Sequence, residues 1–325
     1  MEGLDKLDRR ILFELDCNSR QTMSELARKI RQGRDRVEYR VERLVDRGII
    51  RKFTTSVNLS SLGFRIYKTY LRLENNKPRV QEFVTYLRNH PRVYWLALSD
   101  GGWDLLIAIF AKDPKEYYDI HQQILSAYNE IVLNFGMYTL VQIFVHRKHY
   151  FFGKGKDYSI VGGSPGTAVI DATDYAVLKQ LSADSRSSVT EIAEKINSTP
   201  AIVKYRIEKM ESERVITGHR IEVDLRKLNM QFFKTQLFLR SYDAELQSKF
   251  CDYCAANPHI TYYIQQLGDC TIELEMEVAD YEQYNTIIEG IRTEFSRLVR
   301  NFQTVMIRKS YFNWVPQDLK ISKTS

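Results

Sequence analysis

The chain contains one of its own segments twice, and that repeat constrains the fold more than anything else in it. Thr22–Ile50 reads TMSELARKIRQGRDRVEYRVERLVDRGII, and 166 residues later Ser188–Ile216 reads SVTEIAEKINSTPAIVKYRIEKMESERVI. The register runs without a gap from Leu7/Thr173 to Leu73/Leu239. Self-similarity of this kind means that one structural unit is built twice. Within each copy the pattern predicts two short helices around a tight turn. Thr22 and Ser188 stand three residues before Glu25 and Glu191, the spacing at which a hydroxyl and a carboxylate satisfy each other's free backbone N–H groups at a helix start. Apolar residues then recur at helical spacing: Leu26, Ala27 and Ile30, followed by Val37, Val41 and Leu44. The second copy answers with Ile192, Ala193 and Ile196, then Val203, Ile207 and Met210. Arg31–Gly33 and Asn197–Thr199 leave room for the turn. The result is a helix-turn-helix, whose second helix is shaped to enter a DNA major groove.

The rest of each copy follows from changes of period. Leu4, Leu7, Ile11, Leu12 and Leu15 mark one face of a first helix that locks behind the helix-turn-helix. After Gly48 the pattern becomes strand-like, and Arg65–Leu73 is rich in aromatic and β-branched residues. A helix over 78–89, strands over 93–98 and 104–110, a helix from Pro114 and a strand over 135–145 complete a βαββαβ order. That is a ferredoxin-like unit with helices on one face of an antiparallel sheet. The second copy repeats it, with the offset now 167, so that Gly101 and Asn134 match Gly268 and Asn301. The expected fold class is therefore α+β, two copies of a winged-type helix-turn-helix followed by a βαββαβ domain. The expected boundaries are 1–60 and 61–151 for the first copy, 169–226 and 227–313 for the second. Residues 152–168, with five glycines and a proline, read as a flexible linker, and 314–325 as a polar, frayed tail.

Composition narrows the class. A chain of 325 residues with 44% hydrophobic content can build several real cores. A formal charge of +6 permits an anionic partner without requiring one. Four cysteines in no paired pattern fit a reducing interior better than a disulfide scaffold. No apolar run approaches the length of a membrane span, and the charged start MEGLDKLDRR begins a helix rather than a leader, so a cytoplasmic protein is expected. Cys251 and Cys254 have CxxC spacing but lie in an apolar helix with no second pair, so core cysteines are expected rather than zinc ligands. The six histidines form no constellation with serine or carboxylate, and no phosphate loop or nucleophile elbow is present. Neither catalysis, metal nor cofactor is called for.

Candidate DNA contacts sit on the second helix of each pair. Arg34, Arg36, Tyr39, Arg40 and Arg43 can face outward while Val37, Val41 and Leu44 face inward. Arginine serves both as a phosphate clamp and as a bidentate partner of guanine. In the second copy Thr199 caps the helix ahead of Pro200, and Lys204, Tyr205, Arg206 and Lys209 are the outward set. The plain alternative is a solvated helix face laced with ion pairs, since Glu38, Glu42 and Asp46 dilute the positive charge.

The sequence also resembles a known family. Leu4-Asp5-Lys6-Leu7-Asp8-Arg9-Arg10-Ile11-Leu12, Asn18–Arg20, Arg47–Ile50 and Gly101-Gly102-Trp103-Asp104-Leu105 are similar to the wording of the Lrp/AsnC (feast/famine) transcription regulators. The resemblance covers roughly 4–150 and 171–312, as in a tandem fusion of two such proteins. It implies double-stranded DNA as partner and self-association through the βαββαβ sheets, as a pseudo-dimer within one chain or an oligomer. It also implies an amino acid or other small metabolite as effector. Gly101, Gly102, Trp103 and Asp104 are then the effector turn, the alternative being a plain hairpin turn. The second copy departs from the pattern, with Gly268-Asp269-Cys270-Thr271 placing threonine at the aspartate position. An enzyme on the same architecture, like the siroheme decarboxylases, is the rival class. Such enzymes need an imidazole and an arginine over a tetrapyrrole, and the equivalent stretch here is Val93-Tyr94-Trp95-Leu96-Ala97.

One strand stands apart. In 271–278, Glu273, Glu275 and Glu277 alternate with Ile272, Leu274, Met276 and Val278, so three carboxylates leave one sheet face about 7 Å apart. The first copy has Leu106, Ala108 and Phe110 on that face. These glutamates must find cations or water, and Lys234, Arg308 and Lys309 are the candidates.

Overall fold

The computed structural model describes residues 3–313 and Val315; most of the expected tail lies outside the described residues. The first copy runs α1 (Lys6–Cys17), α2 (Met23–Ile30), α3 (Arg34–Asp46), β1 (Ile50–Val57), β2 (Arg65–Leu73), α4 (Lys77–Asn89), β3 (Val93–Gly101), β4 (Leu105–Ala111), α5 (Pro114–Ser126) and β5 (Val132–His146). A short strand β6 (Tyr158–Gly162) intervenes. The second copy runs α6 (Ala172–Ala183), α7 (Val189–Lys195), α8 (Pro200–Ser212), β7 (Ile216–Val223), β8 (Gln231–Leu239), α9 (Ala244–Ala256), β9 (Ile260–Leu267), β10 (Ile272–Val278), α10 (Tyr281–Glu294) and β11 (Val299–Phe312).

The capping boxes form as spaced. Thr22 accepts from the Glu25 N–H while Glu25 reaches back to Thr22, and Ser188 and Glu191 do the same. Asp5 with Asp8, and Asp171 with Asp174, close equivalent boxes on α1 and α6. Left-handed Arg31 and Asn197 turn the chain into α3 and α8.

Neither helix-turn-helix stands apart from the other copy. The strand that follows each one pairs antiparallel with its mate in the other copy, β1 with β7, giving a ribbon shared by both heads. α1 packs on β7 and α6 on β1, so each head's core contains residues from the other copy. A reciprocal clasp marks the pseudo-two-fold axis. Ser19 and Ser185 hydroxyls meet at 2.7 Å. Arg20 donates to the carbonyls of Ser185 and Ser187, and Arg186 returns the contact to Ser19 and Gln21. Such an isologous contact ordinarily joins two subunits; here it lies within one chain.

The βαββαβ units join in the same way. Strands β2-β4-β3-β11-β8-β10-β9-β5 form one continuous sheet, and β2 also pairs with β5, so eight strands close into a barrel. The two seams between copies are β3 with β11 and β5 with β9. The helices α4 and α5 cover the outside of one half and α9 and α10 that of the other. Closure removes the free sheet edges that would otherwise invite pairing with other chains.

Two expectations need correction. The stretch 152–168 is not a free linker: β6 adds to β5, and the backbone N–H groups of Gly166 and Ala168 donate to the carbonyls of Ser60 and Ser61. Its glycines serve close approach, since a Cβ on Gly166 would lie 2.6 Å from the Ser61 carbonyl oxygen. Nor do all the named cations reach the glutamates of β10, whose side chains point into the barrel. Lys234 does, at 2.6 Å from Glu275 and 3.2 Å from Glu273. Arg308 instead pairs with Asp100, and Lys309 lies over the Tyr311 ring. The missing cations come from the first copy: Lys68 at 2.5 Å from Glu273, and Lys148 at 2.5 Å from Glu277. The glutamate face is therefore buried and paired rather than wet.

Candidate nucleic-acid interface

The recognition helices α3 and α8 each bury one stripe, Val37, Val41 and Leu44 or Val203, Ile207 and Met210, and leave the opposite face open. Arg34, Arg36 and Tyr39 are exposed on the first, and Thr199, Lys204 and Tyr205 on the second. Both tyrosines are 61% exposed, which sets them outward where no core requires an aromatic ring. Arg36 donates to the half-buried Gln32 side chain at 3.0 Å. Thr199 accepts from the Ile202 N–H, so its hydroxyl caps the helix.

The remaining four candidates point elsewhere. Arg40 bonds Asp5 at 2.7 Å and Asp8 at 2.9 Å, and Arg43 bonds the other Asp8 oxygen at 2.8 Å. Arg206 meets Asp171 and Asp174, and Lys209 meets Asp174, in the equivalent geometry. Asp8 and Asp174 are fully buried. These cations therefore lock the recognition helix onto the first helix, and the outward arginine face read from α3 shrinks to its leading turn. The signal was in the repeat: Asp5, Asp8 and Arg40 recur as Asp171, Asp174 and Arg206, with Arg43 becoming Lys209.

The heads also differ in charge. Met23–Arg47 carries eight arginines and lysines against five acids, whereas Val189–Glu213 carries four against five. The first head is thus net positive and the second net negative, and positive charge is what attracts a polyanion.

The Gly101–Asp104 turn lies where the two units meet. Trp103 Nε1 donates to Gln236 of the second copy at 3.0 Å, and the Asp104 carboxylate accepts from the Leu73 N–H at 2.9 Å. Arg72 donates to the carbonyls of Gly101 and Gly102. Gly101 has φ +122°, and a Cβ there would sit 2.8 Å from the Thr304 carbonyl oxygen. The turn is packed against β11, and the Trp103 indole, the Asp104 carboxylate and the Gly101 and Gly102 carbonyls all hold bonds within the fold.

A cavity of about 300 Å³ opens where the β1/β7 ribbon meets the barrel mouth, walled by Trp95, Phe232, Tyr262 and Phe312. Lys148 and Tyr150 both donate to Glu277 beside it. Arg220 grips Asp16 of α1 at 3.0 and 2.7 Å, tying the first head to the ribbon. Cys254 is buried in the α9 core, and among the described residues no group of three or more His, Cys, Asp or Glu is gathered as a metal site. No helix among them is long and apolar enough to cross a membrane.

Comparison with known proteins agrees with this geometry. A winged helix-turn-helix DNA-binding family model matches residues 4–51 and again 170–217. The HTH-type transcriptional regulator PH1916 of Pyrococcus horikoshii is 38% identical over 117 residues, covering 35% of this chain and 78% of that protein. The proline dehydrogenase transcriptional activator of Rhodobacter capsulatus is 32% identical over 127 residues, 38% of this chain and 82% of that protein. Among solved structures, the siroheme decarboxylase NirDL superposes with a TM-score of 0.62 over 94% of this chain and 92% of its own, at 12% identity. That last likeness is one of fold.

Proposed function

The chain belongs to the Lrp/AsnC family of helix-turn-helix transcription regulators, with the family's unit present twice, and from that premise we propose that both heads of one chain grip a single duplex sequence-specifically and that a small metabolite tunes the grip. The observation that carries the reading is the clasp at Ser19 and Ser185. It fixes two outward recognition helices about one pseudo-two-fold axis, the arrangement that lets two heads address two half-sites at a set spacing. Arg34 and Arg36 supply guanidinium groups for phosphates or base edges at the leading turn of α3, and Lys204 and Tyr205 supply the contacts of α8.

Effector action belongs to the turn of Gly101, Gly102, Trp103 and Asp104. An amino acid bound there displaces the Trp103–Gln236 bond, which crosses from one unit to the other, and so alters how the units support the heads. The rival reading, a tetrapyrrole decarboxylase, is weaker on the chemistry of the barrel mouth. The cavity there is walled by lysine, arginine, carboxylate and aromatic side chains, and among the described residues that wall it none supplies the imidazole such an enzyme needs.

The test is duplex binding by full-length protein across a salt series. A specific duplex should lose affinity linearly in log–log form as salt rises, by counterion release. A colourless preparation that retards promoter DNA supports the regulator. A preparation that copurifies with a tetrapyrrole and ignores DNA overturns it.

A further inference from the structure

The two recognition helices are held as mates, yet their leading turns are chemically opposite. At the 166-residue offset Arg34, Asp35 and Arg36 face Pro200, Ala201 and Ile202. Arg36 and Ile202 are each the third residue of their helix, and each lies one position before the first buried valine, Val37 or Val203. Both are exposed, Ile202 to 44%. The α8 core is complete without Ile202, because Val203, Ile207 and Met210 form its buried stripe. A branched apolar side chain on the leading turn of a recognition helix therefore has no packing role in the free protein.

Residues at that end of a recognition helix are the ones that reach base edges. In the major groove, guanine offers O6 and N7 to an arginine fork, and the C5-methyl of thymine is the apolar group that a side chain can cover. Because the clasp at Ser19 and Ser185 relates the heads by a pseudo-two-fold, positions 36 and 202 fall on mirrored steps of the two half-sites.

We propose that Arg36 and Ile202 are the paired specificity determinants of this chain, and that its operator is an inverted repeat broken at their step, with guanine facing Arg36 and thymine facing Ile202. This rests on the DNA-binding reading above and adds to it which base each half carries. The charge difference between the heads agrees. The first head supplies most of the phosphate attraction, and the second contributes shape and a methyl contact.

The experiment starts from a randomised duplex library enriched on the full-length protein. In the enriched duplex each thymine is replaced by deoxyuridine, which removes only the methyl, and each guanine by 7-deazaguanine, which removes N7. One thymine in one half should lose about 3- to 5-fold in affinity without its methyl, on the scale of one buried CH₂ group. That sensitivity should vanish in Ile202→Ala and persist in Arg36→Ala. One guanine at the mirrored step should lose roughly 5- to 100-fold without N7, a bidentate contact, and this should vanish in Arg36→Ala alone. Ile202→Arg, on an exposed position, should shift enrichment toward guanine in both halves. Enrichment of a perfect inverted repeat, or indifference to deoxyuridine in both halves, would overturn the proposal while leaving DNA binding intact. No enrichment of any duplex would overturn the DNA-binding reading and this proposal together.

Discussion

Arg40 is the residue on which a reading of α3 as a DNA helix and a reading of it as a packed element disagree most sharply. Its guanidinium joins the recognition helix to Asp5 and to the buried Asp8. Arg40→Ala removes two charge-assisted hydrogen bonds but does not strand Asp8, which keeps Arg43 at 2.8 Å and the Asp5 backbone N–H. The cost is therefore that of one hydrogen bond to a charged group plus a half-exposed pair, about 1.5–3 kcal/mol. Asp8→Ala is a harsher change, because it takes the buried carboxylate from Arg43, leaves Arg40 with Asp5 alone and unmakes the capping box of α1. Its expected cost is about 3–5 kcal/mol. The assay pairs thermal unfolding of the full chain with the salt dependence of duplex binding. Arg40→Ala should lower the first transition by several degrees and leave the log–log salt slope unchanged, since no phosphate contact is lost. A slope flattened by about one with no thermal effect would mean that Arg40 leaves Asp8 to hold a phosphate, and the locking argument would be refuted.

Other outcomes follow from the turn and the barrel. Trp103→Phe keeps the ring and deletes the bond to Gln236, so it should change the response to a bound metabolite more than the fold. Trp103→Ala also empties a site packed beside Tyr70 and should lower the melting temperature. Equal unfolding in both variants would assign the turn to packing alone. In acid, burial alone would raise the Glu273 carboxyl, but the Lys234 and Lys68 ammoniums outweigh burial and hold it below its ordinary value of 4.5. A carboxyl lowered in the folded state contributes stability above the unfolded value and loses it as pH falls through the folded one. Unfolding free energy should thus drop below about pH 4.5, and Glu273→Gln should make that drop smaller. Urea titrations at stepped pH measure it, and a step unchanged in the variant would place the acid lability elsewhere.

Local rules made the elements readable and left the directions of long side chains unreadable. Capping boxes, apolar stripes and the βαββαβ order depend on neighbours within a few residues, and Thr22 with Glu25 shows how directly such spacing becomes structure. The alternation in β10 also placed its three glutamates on one face. Which cations meet them depends on the seam between copies, so Lys68 and Lys148 were invisible and Arg308 was a reasonable but mistaken partner. Arg40 and Arg43 misled for the same reason, because their carboxylate lies a whole helix-turn-helix earlier in the chain. Only the recurrence of Asp8 with Arg40 as Asp174 with Arg206 encoded it. Gly162 and Gly166 read as flexibility where the chain uses them to lay its backbone against Val141 and Ser61.

The barrel interior bears on why the two copies pair with each other. Lys68 and Lys234 are mates at the 166-residue offset, and both point inward, fully buried. Their carboxylates come from one copy only: Glu273 and Glu275 stand where the first copy has Leu106 and Ala108. A barrel made of two first copies would enclose two lysines with neither acid. One made of two second copies would enclose four of these glutamates against two lysines. Only first with second balances, and each uncompensated buried charge costs several kcal/mol. The connection between the copies then makes that pairing intramolecular, so it does not depend on protein concentration. Converting the second copy to the first, with Glu273→Leu and Glu275→Ala, should therefore destabilise the chain by more than about 3 kcal/mol although both residues become apolar. Adding Lys68→Met and Lys234→Met should restore most of the loss, because the wholly apolar interior has no charge left unpaired. The restored variant has also lost its preference between like and unlike copies, so sedimentation should show it forming concentration-dependent dimers to a greater extent than the parent. A Glu273→Leu/Glu275→Ala chain as stable as the parent would mean that the lysines reach water by another route, and that shape rather than charge selects the pairing.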